Sequence, residues 1–189
     1  MTKSIMIVGV GGQGTLLASR LLGNVLIQNG YDVKVSEVHG MSQRGGSVVT
    51  YVRYGEQVYS PVVNRGEADY ILAFEELEAA RYLSYLKKGG KLVVNTQRID
   101  PMPVIMGNAQ YPENIIDKLR AAGADVLAID ALQDAVAAGS SKAVNVALIG
   151  HLAKALPFSQ EQWEQAIRET VPAKFLDLNL KAFHIAYGA

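Results

Sequence analysis

Gly9-Val10-Gly11-Gly12-Gln13-Gly14 follows directly on the apolar run Ser4-Ile5-Met6-Ile7-Val8. A short hydrophobic run, a glycine cluster and then a helical pattern read as strand, tight turn and helix. Glycines at the first, third and sixth positions let the backbone turn sharply and let a ligand or another backbone come close. The helix that opens near Gln13 turns free N–H groups and the positive end of its dipole toward that space, which welcomes an anion. Two readings are open at this point. The glycines either hold a ligand or only let strand and helix pack.

Outward from the turn, Leu17, Leu21, Leu22, Val25 and Leu26 recur at helical spacing, and Asn29-Gly30 closes that helix. Asp32 to Val38 (DVKVSEV) reads as a second strand. A dinucleotide-binding half would continue with a helix and a third parallel strand. Instead come His39-Gly40-Met41-Ser42-Gln43-Arg44-Gly45-Gly46, a loop without apolar periodicity. Beyond it, Val48 to Tyr54 and Gln57 to Tyr59 flank Gly55-Glu56 in the pattern of a β-hairpin. The acid that would hold a ribose hydroxyl is also poorly matched, since Glu37 comes late in the count and Asp32 too early in the strand. A stand-alone nucleotide-binding module or NAD(P)-dependent reductase is therefore the competing reading.

Ala68 to Phe74 (ADYILAF) is apolar throughout, as buried parallel strands are. Glu75-Glu76-Leu77-Glu78 opens a helix as a solvated, dipole-matched start, and Lys87-Lys88-Gly89 closes it. Lys91 to Asn95 is another buried strand. Residues 96–112, with three prolines, read as a long connection of the kind that carries function or an interface. A helix over about 113–122 and a strand over 125–129 follow, with Asp130 as a helix N-cap. Ser141 can cap a helical segment to Leu156. Ser159-Gln160-Glu161-Gln162 is a capping box, and Pro172 breaks that helix before a final one from Phe175 to Tyr187. His151 reads as a packed or surface residue rather than a base.

The totals narrow the function. In 189 residues, 18 basic side chains balance 18 acidic ones, so no basic excess argues for nucleic acid. The first apolar run is too short for a signal peptide, and no stretch is long enough to span a membrane, so a cytoplasmic protein is expected. The cysteine count is zero, which excludes disulfides, a thiolate nucleophile and a Cys-ligated zinc or iron–sulfur site on this chain. His39, His151 and His184 lack metal-ligand spacing.

Ile7-Val8-Gly9-Val10-Gly11-Gly12-Gln13-Gly14, followed by Ser36-Glu37-Val38-His39-Gly40-Met41-Ser42-Gln43-Arg44-Gly45-Gly46-Ser47-Val48, resembles the gamma-type subunit of 2-oxoacid:ferredoxin oxidoreductases. Val52-Arg53-Tyr54-Gly55, Ala68-Asp69 to Phe74-Glu75 with Glu78-Ala79, and Val94-Asn95-Thr96 match as well. The similarity covers most of the chain and is strongest over residues 5–96. Within the family, the SEVHGMSQRGGSV block looks most like the small subunits of the branch that acts on indolepyruvate.

The resemblance implies a CoA-dependent oxidative decarboxylation of a 2-oxoacid to an acyl-CoA, carbon dioxide and reduced ferredoxin. In that chemistry thiamine diphosphate stabilises the carbanion and iron–sulfur clusters carry electrons. No cofactor is expected on this chain alone. Thiamine diphosphate, magnesium and the clusters would lie on a large partner subunit, ferredoxin would meet the complex, and coenzyme A would be a co-substrate. The expected binding residues are Gly9, Gly11, Gly12, Gln13, Gly14, Ser42, Gln43, Arg44, Gly45 and Gly46, with no catalytic acid or base named. Their two glycine-rich loops either bind the CoA or substrate side of the site or dock the partner. The expected fold is α/β, a Rossmann-like three-layer sandwich with a mostly parallel sheet, an inserted β-hairpin and a helical C-terminal part, in one domain over residues 1–189.

Overall fold

The computed structural model describes residues 2–38 and 45–189. Six strands, β1 (Lys3–Val10), β2 (Asp32–Val38), β3 (Ser47–Gly55), β4 (Ala68–Ala73), β5 (Leu86–Asn95) and β6 (Asp125–Ile129), form one sheet in the order β2-β3-β1-β4-β5-β6. β1, β2, β4, β5 and β6 point the same way, and β3 alone runs against them, antiparallel to both β2 and β1. The helices are α1 (Thr15–Gln28), α2 (Glu76–Tyr82), α3 (Met102–Ile105), α4 (Ile115–Ala121), α5 (Ala131–Ala138), α6 (Val144–Ala153), α7 (Gln160–Thr170) and α8 (Leu176–Gly188).

Side-chain parity along the strands builds three layers. Ile5 and Ile7 of β1, Val52 of β3, Leu72 of β4 and Val93 of β5 share one core with α1, α6, α7 and α8. The alternate residues Met6, Val8, Ile71, Leu92 and Val94 share the other with α2 and α4. Successive strand side chains point to opposite faces, so a strand that is apolar at every position must be covered twice. α6 is buried from Asn145 to Ala153, which is why its sequence is apolar all round rather than striped.

The inserted hairpin is present, but with a different second arm. Residues 57–59 form no strand, and β3 pairs with β2 instead, Val35 opposite Val52. β3 thereby separates β2 from β1, the pair that would be neighbours in a dinucleotide-binding half. Lys87 and Lys88 belong to β5, not to a helix end, because α2 stops at Tyr82 and a single 3-10 turn leads into the strand. Ser140, not Ser141, caps the turn before α6, its Oγ accepting from the Lys142 N–H at 3.2 Å. The expected caps at Asp130 and at Ser159 with Gln162 are both formed.

Asp69 ties the amino-terminal edge together. Its carboxylate accepts from the Ser4 N–H at 2.9 Å and pairs with Lys3 at 3.1 Å and Lys87 at 3.4 Å. Burial pushes this carboxyl up, but the Ser4 N–H and the two ammonium groups outweigh it and hold it below its ordinary value of 3.8. A depressed carboxylate contributes stability above its unfolded pKa and loses it as pH falls through the folded one. Asp69→Ala is therefore expected to cost about 2 kcal/mol at neutral pH. The gap to the parent chain should close in acid below 3.8, as read by urea unfolding across pH. A gap that stays constant with pH would refute the ion-paired role.

Candidate functional site

From β1 the chain moves to β2 and β3 on one side, and from β4 to β5 and β6 on the other. The reversal between β1 and β4 is the place where a doubly wound sheet opens a crevice at its carboxyl edge. The β1–α1 turn (residues 9–14), the β4–α2 junction and residues 95–99 after β5 all meet there. The two glycine-rich segments do come together. The Gly11 N–H donates to the Gly46 carbonyl at 2.9 Å, and the Gly45 N–H to the Gly11 carbonyl at 3.2 Å. Ser42, Gln43 and Arg44 lie outside the described residues.

Gln13 folds back across the crevice instead of pointing out of it. Its Oε1 accepts from the Val10 N–H at 2.7 Å, and its Nε2 donates to the Phe74 carbonyl at 3.0 Å and Gln97 Oε1 at 3.2 Å. Asn95 Nδ2 donates to the same Phe74 carbonyl at 3.1 Å, while Asn95 Oδ1 receives the Ala131 N–H at 3.1 Å. This amide network joins the ends of β1, β4 and β5 to the start of α5. Gly9 is required by it, since a Cβ there would lie 2.9 Å from Gln13 Oε1 and 3.0 Å from the Phe74 Cβ.

Gly14 serves a different purpose. It holds the N-cap of α1 at φ +83, without any side-chain cap, and a Cβ on it would lie 2.7 Å from Asn145 Nδ2. Beside it opens a cleft of about 620 Å³ between the start of α1 and the turn into α6, lined by Gly12, Gly14, Gln97, Ser141, Lys142 and Asn145 among others. The uncapped first-turn N–H groups of α1 and the Lys142 ammonium give this cleft positive potential, suited to an anionic group. Four neighbouring N–H groups, of Val10, Gly11, Gln13 and Gly45, are already spent on internal hydrogen bonds. The backbone cradle is thus smaller than the glycine count implies.

The acids that open α2 are not a solvated face, contrary to expectation. Glu75 has no exposed surface, and Glu78 is buried. Glu75 Oε1 accepts from the Tyr111 hydroxyl and from the Ile99 N–H at 3.1 Å, and its Oε2 from the Glu78 N–H at 2.9 Å. Glu78 accepts from the Ser47 hydroxyl and pairs with Arg81 at 3.1 Å. Burial raises the Glu78 carboxyl above its usual range; Ser47 and Arg81 only partly offset this, and Glu75 adds to it. The Tyr111 hydroxyl and the N–H groups of Ile99 and Glu78 converge on Glu75, while Ser47 and Arg81 engage Glu78, so both carboxylates tie α2 to neighbouring segments.

Sequence reasoning missed Lys142, Asn145 and Gln97, which reach the cleft from loops and helices far along the chain. Glu37, the candidate ribose acid, accepts from Ser19 Oγ on α1 at 2.9 Å. The chain has no cysteine, and among the described residues no three His, Asp or Glu side chains cluster as metal ligands. The chain therefore offers no cysteine ligand for an iron–sulfur cluster. No helix of the described residues is long and apolar enough to cross a membrane.

Comparison with known proteins agrees with this arrangement. The family model described as pyruvate ferredoxin/flavodoxin oxidoreductase matches residues 4–189. The indolepyruvate oxidoreductase subunit IorB of Thermococcus kodakarensis is 47% identical over 98% of this chain and 95% of its own. Its counterpart from Pyrococcus horikoshii is 46% identical with the same coverage. Among solved structures, the keto/oxoacid ferredoxin oxidoreductase gamma subunit of Geobacter sulfurreducens superposes with a TM-score of 0.71 at 25% identity, covering 98% of this chain and 96% of that one. A cysteine-free three-layer sandwich, with paired glycine loops at the β1–β4 reversal and end-to-end likeness to these subunits, belongs to the pyruvate ferredoxin/flavodoxin oxidoreductase family.

Proposed function

We propose that this chain is the small, gamma-type subunit of a 2-oxoacid:ferredoxin oxidoreductase acting on aryl pyruvates such as indolepyruvate. The observation that carries the reading is the 47% identity, over nearly the full length of both chains, to a subunit named for that substrate. The complex would convert a 2-oxoacid and CoA into acyl-CoA and carbon dioxide, passing two electrons to ferredoxin. The absence of cysteine supports a reading in which the clusters lie on a large partner subunit, and thiamine diphosphate with its magnesium would be held there too. Thiamine diphosphate supplies carbanion stabilisation when bound on that partner. This chain contributes the anion-receptive cleft at its glycine edge, with Lys142 and the α1 N-terminus facing a CoA phosphate or the substrate carboxylate, and Gly11 to Gly14 and Gly45 lining it. A cytoplasmic location goes with this reading.

Co-expression with the large subunit tests this. Dye or ferredoxin reduction is followed over a panel of 2-oxoacids, with and without CoA and with each subunit omitted. CoA-dependent reduction that needs both chains and favours aryl pyruvates is the expected outcome. Activity of the partner alone, or tight NAD(P) binding by this chain in calorimetry, would overturn the subunit reading. Arg44→Ala separates the two roles of the second loop. Loss of a charge-assisted contact is expected to raise the apparent CoA or 2-oxoacid constant by about tenfold or more with the complex intact. Loss of co-purification would instead assign the loop to docking.

A further inference from the structure

The opposite, amino-terminal edge of the sheet carries a second constellation. A register shift between Ala68 and Tyr70 marks a bulge where β5 meets β4, and Gly90 makes it possible: a Cβ there would lie 2.9 Å from the Asp69 carbonyl and 3.0 Å from that of Ala68. The irregularity displays Lys87 and Lys88 beside Lys3 and Lys91 around a cleft of about 390 Å³ that also contains Asp69 and Asp125. Asp69 fixes the ammonium groups of Lys3 and Lys87, as described above. Lys88 and Lys91 have no hydrogen-bond or ion-pair partner among the described residues. In a chain with 18 charges of each sign, four lysines against two carboxylates on one rim is a local excess, two of its ammonium groups paired with Asp69 and two free of ion pairs among the described residues.

A second cleft of about 550 Å³ continues from the first, sharing Lys3, Tyr70 and Ala155, and adds Tyr31, Tyr54, Leu156 and Pro157. One half of the trough is cationic, and the other sets tyrosine rings beside Lys154, whose ammonium donates to the Ala189 carbonyl at 2.9 Å. Both halves are open, and they lie at the amino ends of the strands, where doubly wound sheets do not collect small ligands. Transient electrostatic encounters need charge alone, whereas lasting interfaces add aromatic and aliphatic anchors.

We infer that this trough docks an acidic segment of the large partner subunit, its carboxylates opposite Lys3, Lys87, Lys88 and Lys91 and an apolar side chain seated among Tyr31, Tyr70 and Pro157. The inference rests on the subunit reading above and extends it to a surface remote from the glycine edge. The test uses the co-expressed complex. The parent complex should loosen as salt is raised, and Lys88→Glu with Lys91→Glu should reduce assembly about tenfold at physiological ionic strength through like-charge repulsion. Lys88→Ala with Lys91→Ala should fall between, and this Ala variant should melt like the parent when free because neither side chain has a hydrogen-bond or ion-pair partner among the described residues. Parent-like assembly and salt tolerance of the Glu variant would overturn the inference while leaving the subunit reading intact. A raised ferredoxin KM with unchanged assembly would also overturn it, assigning the rim to the electron acceptor. A parent chain that forms no complex at all would overturn both.

Discussion

Glu75→Ala is expected to destabilise the chain by about 3–5 kcal/mol, since a buried donor stripped of its acceptor costs about 1–3 kcal/mol and three donors converge here. They are the Tyr111 hydroxyl, the Ile99 N–H and the Glu78 N–H. The partly open cleft of about 210 Å³ beside Glu75 can admit water, which favours the lower end of that range. For a chain of this size the melting temperature should fall by roughly 10 °C. Glu75→Gln should be milder but still costly, because its amide NH₂ would face groups that are themselves donors. Differential scanning calorimetry decides: a loss under about 1 kcal/mol would mean that the carboxylate does not organise this junction. The effect should also reach the site, since Glu75 both caps α2 and holds the segment at Ile99 that lines the cleft.

Gly14→Ala should cost about 2–4 kcal/mol, combining roughly 1–2 kcal/mol for an L side chain at positive φ with the displacement of a packed neighbour. The neighbour is Asn145, whose Nδ2 lies 2.7 Å from the added Cβ. Gly12→Ala isolates the conformational part. Gly12 also has positive φ, +102, but its Cβ would meet nothing within 4 Å. It should cost only the strain. Chemical unfolding of the two variants checks the difference, and equal losses would show that Asn145 yields without penalty. The comparison bears on function as well, because Asn145 forms one wall of the anion-receptive cleft. A Gly14 variant that folds should therefore bind CoA more weakly in the complex than a Gly12 variant of similar stability.

Much of the architecture is written locally. The β1 run, the glycine turn and the α1 stripe need only neighbouring residues, and so do the caps at Asp130 and at Ser159 with Gln162. β2 and β6 were readable to the residue because short apolar runs bounded by turn residues leave little room for another assignment. The zero cysteine count likewise excluded a Cys-ligated cluster on this chain before a single contact was known. Sequence motifs also pointed to the family, through the resemblance carried by the glycine turn and the MSQRGG loop together.

Pairing and burial were a different matter. The arm that pairs with β3 could not be chosen from Gly55-Glu56, because β2 competes for the same edge with a full seven-residue register. Glu75 looked like any acid at a helix start, and its donors at Ile99 and Tyr111 lie 24 and 36 residues away. Gln13 looked like a ligand contact, yet its amide closes the reversal between β1 and β4. Lys142 reaches the glycine turn only because α6 packs against α1 and the sheet. Propensity, capping and apolar alternation act over a few residues and so are legible in order along the chain. Which donors meet which acceptors depends on where the chain reverses, and that was decided by the tertiary structure alone.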